Sequence, residues 1–231
     1  MNEEIKAITE AAKATQAIAN TSDKAIIAVS KFGSFIARFI SGPLEQGVGI
    51  FEDRLKYMRW ERQQRLMIRA EKFMQEIGLE LPTRAIPLKI AVPLFQGASL
   101  EDNDDLQDMW ARLLVNAADE KGGIDMKRVY IDILERLTPL EAQILSVIYS
   151  LPYEQIQHKG VLTAKLPDSA SPYIGEEGLG EPDEEIKLAI ASLSVIGCLY
   201  IPKSWGGGEG FSVVNPTVLG KSFIRACSLK R

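Results

Sequence analysis

The sequence predicts a mainly α-helical protein, α+β overall, with an N-terminal helical region at 1–42, a long-helix core at 43–137 and a C-terminal winged-helix-like domain at 138–231. Three observations carry that prediction. From Ser99 to Asp119 (SLEDNDDLQDMWARLLVNAAD), Leu106, Trp110, Leu113 and Ala117 recur at i, i+4, i+7 and i+11, and Met109 and Leu114 widen the stripe, so one helical face is built for burial. From Phe51 to Ile77, Phe51, Leu55, Met58, Leu66, Ala70, Phe73 and Ile77 form a second seam at helical spacing. After Leu137 the order becomes helix, segment, helix, strand, glycine-rich turn, strand, helix, which is the order of a winged helix.

The 231 residues, 46% apolar and 25% charged, suffice for one large or two small domains with a core that needs neither disulfide nor metal. A net charge of −4 argues against a generic nucleic-acid coat. Cys198 and Cys227 stand apart in apolar surroundings, as buried thiols in a reducing compartment do. Met1 to Asn20 carries Glu3, Glu4 and Glu10 where a secretory signal has a basic start and an apolar run. The longest charge-free apolar stretch, Leu188 to Pro202, is shorter than the roughly 18–20 residues a spanning helix needs. The expectation is a cytoplasmic protein, with a peripheral position on the inner membrane left open.

The first segment, residues 1–22, is rich in alanine, with a thin stripe of Ile5, Ile8, Ala12 and Ala19, and predicts a helix of modest stability. In Lys24 to Ile40, the aromatic and aliphatic residues Phe32, Phe35, Ile36, Phe39 and Ile40 share one side, while Lys24, Lys31 and Arg38 repeat every seven residues on the other. That pattern suits a helix lying in a membrane interface and equally a helix buried in its own protein. Gly42-Pro43 stops it. In the long helix that follows, Arg59, Arg62, Arg65, Arg69 and Lys72 form a basic stripe beside the apolar seam. Such a stripe holds phosphate, anionic lipid or nucleic acid, or is matched internally, and Glu101, Asp102, Asp104, Asp105 and Asp108 are at hand to match it.

Gly78 closes this helix, and Pro82, Pro87 and Pro93 punctuate a connection that runs to Gln96-Gly97, with Ile86 to Leu94 as one or two helical turns. Ser99 with Asp102 reads as a capping box for the organising helix. Lys121-Gly122-Gly123 turns the chain into a helix from Asp125 to Leu137 with Val129, Ile133 and Leu137 inward. Thr138-Pro139-Leu140-Glu141 then opens a helix to Leu151 with Ile144, Val147 and Ile148 inside, and Pro152 ends it. An acidic loop from Pro167 to Pro182, a helix from Asp183 to Ile196, a strand in CLYIP, a tip from Ser204 to Gly210, a strand at Phe211 to Val214 and a helix from Thr217 to Cys227 complete the chain.

A winged helix that reads DNA presents Arg, Lys, Asn or Gln from its middle helix. Here that helix, DEEIKLAIASLSVIG, has Lys187 as its one base, behind Glu184 and Glu185, and the loop before it adds Glu176, Glu177, Glu181 and Asp183. That field repels phosphate. Lys203, Trp205, Lys221 and Arg225 are the candidate wing contacts to a nucleic-acid backbone, so a DNA-binding regulator stands as the alternative to a domain used for protein contacts.

Catalytic signatures are not found. His158 is the single histidine, with no nucleophile elbow and no orienting acid near it, and two distant cysteines with one histidine do not close a zinc site. EDNDDL lacks the glycine and terminal glutamate of a calcium loop, and GGGEG is not followed by Lys-Ser or Lys-Thr. No catalytic residue, metal ligand or cofactor is predicted, and the expectation is a non-enzyme with a protein partner or a second copy of itself. A nuclease or nucleotide-directed toxin using the acids between Asp102 and Asp108 is a third reading.

The run IPLKIAVPLFQGASLEDNDDLQDMWARLLVNAAD, followed by RVYIDILERLTPLEAQILSVIY, resembles the abortive infection alpha family of bacterial proteins. The resemblance lies in the proline-containing apolar segment before an acidic helix start, in the cluster of Leu106, Trp110, Ala111, Leu113 and Leu114, and in the junction from Leu137 to Ala142. It extends from about Pro43 to the C-terminal segment and is weakest before Lys24. It implies a role in defence against bacteriophage through arrest or death of the infected cell, and brings no catalytic residues with it.

Overall fold

The structure, a computed structural model, describes residues 31–40, 60–175, 179–203 and 206–229. The helix expected over 1–22, the stop at Gly42-Pro43, the seam residues Phe51, Leu55 and Met58, the stripe residue Arg59, the loop acids Glu176 and Glu177, and Ser204 and Trp205 lie outside the described residues.

Four helices build the first layer: α1 through 31–39, α2 Trp60–Glu76, α3 Leu88–Leu100 and α4 Asp104–Ala118. Of these α4 is central, with eleven of its fifteen residues buried, Leu106, Trp110, Leu113, Leu114 and Ala117 among them. A helix apolar on nearly every side has to be enclosed, and α2, α3, α6 and α9 (the last two defined below) enclose it. Its ends are closed by protein. Asn103 is the N-cap, its side-chain oxygen accepting from the amides of Asp105 and Leu106 at 3.1 Å each. At the other end the Arg84 guanidinium donates to the carbonyls of Ala117 (2.9 Å), Asn116 (3.3 Å) and Ile124 (2.9 Å), a cation on the negative end of the helix dipole.

The capping box expected at Ser99 and Asp102 is therefore corrected. Ser99 belongs to the last turn of α3, where its hydroxyl donates to the Gln96 carbonyl at 2.7 Å. The element expected as one or two turns over Ile86 to Leu94 is a 13-residue helix that contains Pro93, Gln96 and Gly97. Tertiary packing overrides both breakers. Trp110 of α4 lies against the backbone of Gly97, and a Cβ there would overlap the indole carbons Cη2 and Cζ2. Gly97 is thus the place where α3 and α4 touch, and its missing side chain is a packing requirement.

The second half continues the same core. Following α5 Arg128–Leu134 comes α6 Pro139–Ser150, which starts at Thr138 as read and adds a reciprocal capping box: the Glu141 amide donates to Thr138 Oγ1 at 3.3 Å and the Thr138 amide to Glu141 Oε2 at 2.7 Å. The helix expected from Asp125 to Leu137 is shorter at both ends: Lys127 is extended (φ −113°), and the helix closes at Leu134 with Glu135 as its C-cap. Val129 is half-buried, while Ile133 and Leu137 are buried as expected. Next come α7 Tyr153–Ile156, β1 Val161–Leu162, β2 Ser171–Pro172, α8 Glu184–Ile196, β3 Leu199–Tyr200, β4 Val213–Pro216 and α9 Val218–Ala226. The four short strands form one antiparallel sheet in the order β2-β1-β4-β3, with Val161 opposite Pro172 and Val214, and Leu199 opposite Pro216. The fold class is mainly α within α+β. Strand β2 lies inside the stretch read as loop, and the returning strand is displaced by two residues from Phe211–Val214 to Val213–Pro216. Gly78 (φ 69°) and Gly197 (φ 88°) end α2 and α8 in left-handed geometry, the first as the sequence indicates. One continuous apolar cluster runs from Phe32 to Cys227.

Two glycines in helices have opposite consequences. Replacing Gly97 with Ala forces the indole of Trp110 aside and should lower stability by about 2 kcal/mol, a fall in Tm of roughly 4–8 °C for a chain of this size. A Cβ at Gly33 meets nothing within 4 Å, so Gly33→Ala should raise Tm through helix propensity alone. Differential scanning calorimetry of the two variants measures both.

Candidate functional site

Three surfaces were singled out by the sequence, and the structure places each. The first is the aromatic side of α1. Phe32, Phe35 and Ile36 are 3% exposed and Phe39 is fully buried. Phe95 of α3 presents its ring at near-right angles to Phe32, Phe35 and Phe39, with centroids 6.2, 6.3 and 6.3 Å apart. The Ile86 amide donates to the Phe39 carbonyl at 2.7 Å and fastens the end of α1, and Ile40 is half-buried beside it. In this structure the candidate membrane face is core, because α3 supplies the apolar partner that a bilayer would otherwise supply. Arg38, at the edge of that face, reaches Glu71 at 3.3 Å and lies 5.5 Å from the Phe35 ring centroid.

The second surface is the basic stripe of α2. Arg62 contacts Asp102 at 3.3 Å and donates to the Leu100 carbonyl. Arg65 lies between Glu61 at 2.9 Å and Asp104 at 3.6 Å. Arg69 bridges Asp104 at 2.6 Å and Asp108 at 2.8 Å, and Asp108 in turn holds Arg112 at 3.2 Å. The Arg112 guanidinium covers the Phe73 ring, 4.8 Å from its centroid. Lys72, two-thirds exposed, has Glu76 at 3.9 Å. Asp102, Asp104 and Asp108 at the start of α4 thus take up Arg62, Arg65 and Arg69 of α2, with Asp104 shared by two of them, which makes the stripe a clamp between the two helices. Each pair is partly exposed and contributes about 1 kcal/mol or less, so the clamp fixes register more than it adds stability.

The third surface is the candidate wing. Its cations go to different neighbours. Lys203 is exposed and its backbone bridges Glu209. Lys221 lies 4.0 Å from the Tyr153 ring centroid and 3.8 Å from Glu154. Arg225 is exposed at the edge of a groove of about 820 Å³, lined also by Ile77, Leu81, Asn116, Asp119 and Lys121. The helix α8 is acidic at its leading end. Asp183 caps α8 by accepting from the Ile186 amide at 3.0 Å, Glu184 and Glu185 are exposed, and Lys187 is held by Glu181 at 2.9 Å and Glu184 at 3.0 Å, two hydrogen bonds that raise its pKa.

Some residues that hold these surfaces were not legible as such. Tyr149, on α6, donates its hydroxyl to the Cys198 carbonyl at 2.7 Å and accepts from the Thr217 amide at 2.9 Å. It ties α6 to the start of β3 and to the cap of α9, and burial pushes its pKa up to about 12. A Cβ at Gly220 would overlap that hydroxyl. Asn116, buried late in α4, donates to the carbonyls of Ala226 at 2.7 Å and Ser228 at 2.9 Å, anchoring the end of α9. The signal available in the sequence was a lone amide in an apolar run. Gln107 is buried too, its amide donating to the Glu101 carbonyl at 2.6 Å, and among the described residues its Oε1 has no hydrogen-bond partner. Both cysteines are buried and free, and burial raises their pKa values, Cys198 to about 12, so each is held as the neutral thiol. His158 is exposed. Among the described residues no helix is long and apolar enough to cross a membrane.

The elements from α2 to the end of α9 coincide with a family match: the model described as abortive infection alpha covers residues 61–227. The chain belongs to the abortive infection alpha family. Membership implies a part in abortive infection, the defence of a bacterial population against phage. The matched region takes in the α2–α4 clamp, the Trp110–Gly97 contact and the Tyr149 knot of this abortive infection alpha protein, while α1 lies outside it. No curated protein and no solved structure matches the chain.

The clamp and the knot each yield a measurable consequence. Asp108→Asn removes the shared acceptor of Arg69 and Arg112 and should lower stability by about 1 kcal/mol, with a loss that shrinks as salt rises, read from urea midpoints across a sodium chloride series. Because the folded-state pKa of Tyr149 lies above its unfolded value near 10, its contribution is fully present below pH 10 and is lost as pH rises toward about 12. Tyr149→Phe should lower stability at pH 7 by about 1–3 kcal/mol and flatten the alkaline decline between pH 10 and 12 in a pH series of urea melts.

Proposed function

We propose that this abortive infection alpha protein is a non-enzymatic cytoplasmic effector that acts through contact with another protein. The observation that carries the reading is the acidic leading end of α8. Glu184 and Glu185 are exposed there, and Lys187, the one base on the helix, is occupied by Glu181 and Glu184. A helix that enters the major groove needs donors facing base edges and is pulled in by phosphate charge. This end does the opposite, which favours a protein surface over a duplex.

Action at a membrane surface asks more of the molecule. Exposing Phe32, Phe35 and Phe39 to lipid first parts them from Phe95 and opens the core, and Arg62, Arg65 and Arg69 are already engaged by aspartates. Protein contact requires neither change.

Two assays test the reading together. Purified protein at micromolar concentration should leave a labelled DNA duplex unshifted in a gel. In phage-challenged cells, the triple variant Lys203→Glu, Lys221→Glu, Arg225→Glu should protect the culture as well as the parent does. A duplex shift that the triple variant abolishes, with loss of protection, overturns the reading in favour of a DNA-binding regulator.

A further inference from the structure

We propose that the solvent face of α8, together with the first residue of α9, docks a basic amphipathic helix of a partner protein; this rests on the protein-contact reading above. The inner face of α8 is fully used, with Ile186, Ala189, Ile190 and Leu193 buried in the core. On the outer face, however, Leu188 is 72% exposed and Val195 86%. Seven residues apart, they occupy the same side on successive pairs of turns. Between them lie Ala191 and Ser192, half-buried and small, so two apolar knobs flank a shallow path along the helix.

A second element widens this patch. Thr217 Oγ1 donates to the Gly197 carbonyl at 2.7 Å, and a Cβ at Gly197 would touch Leu219, so the start of α9 lies directly beside the end of α8. Val218, first residue of α9, is 72% exposed there. Single exposed aliphatic side chains are ordinary; three at this exposure, on adjoining elements, form a surface that water does not favour.

The charge around the patch selects the occupant. Its leading end carries Glu181, Asp183, Glu184 and Glu185, Glu184 with 91% of its side chain exposed, and the neighbouring Lys187 is neutralised within the group. Nucleic acid and anionic lipid are repelled by that end. A helix with aliphatic residues at i, i+3 or i+4 and i+7 would cover Leu188, Val195 and Val218, and lysine or arginine flanking its seam would meet the glutamates, which steer the encounter and set the orientation. The small residues Ala191 and Ser192 allow the two helix axes to approach closely.

The test uses the full-length chain and two labelled 14-residue helical peptides, one of leucine and lysine, the other of leucine and glutamate, followed by fluorescence anisotropy. The leucine–lysine peptide should bind at least tenfold more tightly than its acidic counterpart. The double variant Leu188→Glu, Val195→Glu should weaken that binding at least tenfold, and Glu184→Lys, Glu185→Lys should reverse the preference. All four positions face solvent, and circular dichroism verifies that each variant is folded. Equal binding of both peptides, or binding unchanged by Leu188→Glu, Val195→Glu, overturns the proposal. So does a parent protein that sediments as a dimer and becomes a monomer in that variant, since the face then belongs to a second copy. Neither result touches the gel-shift assay, so failure of this face and failure of the protein-contact reading are told apart.

Discussion

Trp110 rests on the bare backbone of Gly97, and most of the structure follows from that contact. It brings α3 and α4 close enough that α4 is buried on nearly every side. At the helix ends unpaired amides and carbonyls are costly. The molecule supplies partners for them: the adjoining Asn103 at the start, Arg84 at the end, and the Asn116 side chain reaching to the last turn of α9. The same approach of α3 presents Phe95 to α1, so the aromatic face of α1 has a partner within the protein. Removing the indole would leave Gly97 facing a void, and adding a methyl group at Gly97 would push the two helices apart.

Charge is arranged to serve that packing. The arginines of α2 and the aspartates of α4 read separately as an anion site and as a candidate acid site. Brought together they cancel: Arg69 spends its donors on Asp104 and Asp108, and Asp104 stands at once in the first turn of α4, where the helix dipole favours an acid, and opposite a guanidinium. A carboxylate committed to an arginine in this way is poorly placed to hold a catalytic metal. The leading end of α8 keeps an exposed acidic surface that no such clamp cancels.

How much of this was legible in the sequence depended on the range of the interaction. Local chemistry was readable: the period of α4, the start of α6 at Thr138-Pro139, and the left-handed stop at Gly78 are each decided within a few residues. Ser99 and Asn103 compete for one helix start, and the winner is fixed by where α3 ends, which depends in turn on Trp110 tolerating Gly97 inside a helix. Local rules mark Pro93 and Gly97 as breakers, and a contact thirteen residues away overrules them. The aromatic stripe of α1 has one pattern and two homes, and only the perpendicular ring of Phe95 distinguishes them. Arg84, Asn116 and Tyr149 act on partners 32 to 112 residues distant, beyond the reach of any spacing argument.

The Tyr149 hydroxyl explains why the outer face of α8 is a usable surface as well as an exposed one. It joins the carbonyl of Cys198, just past the end of α8, to the amide of Thr217, just before α9, and Gly220 makes room for it by carrying no side chain. Leu188 and Val195 on one element and Val218 on the next are therefore held at a fixed spacing before any partner arrives. A docking surface assembled in advance loses little conformational freedom on binding, so even a patch of three aliphatic side chains retains most of the free energy of its contacts. Placing the acids at one end of that patch adds direction: a partner helix with its cations at the wrong end would bring apolar side chains to the glutamates and leave its charges over Val195 and Val218. On the docking proposed above, fold and charge together set both the seat and the orientation of the partner helix.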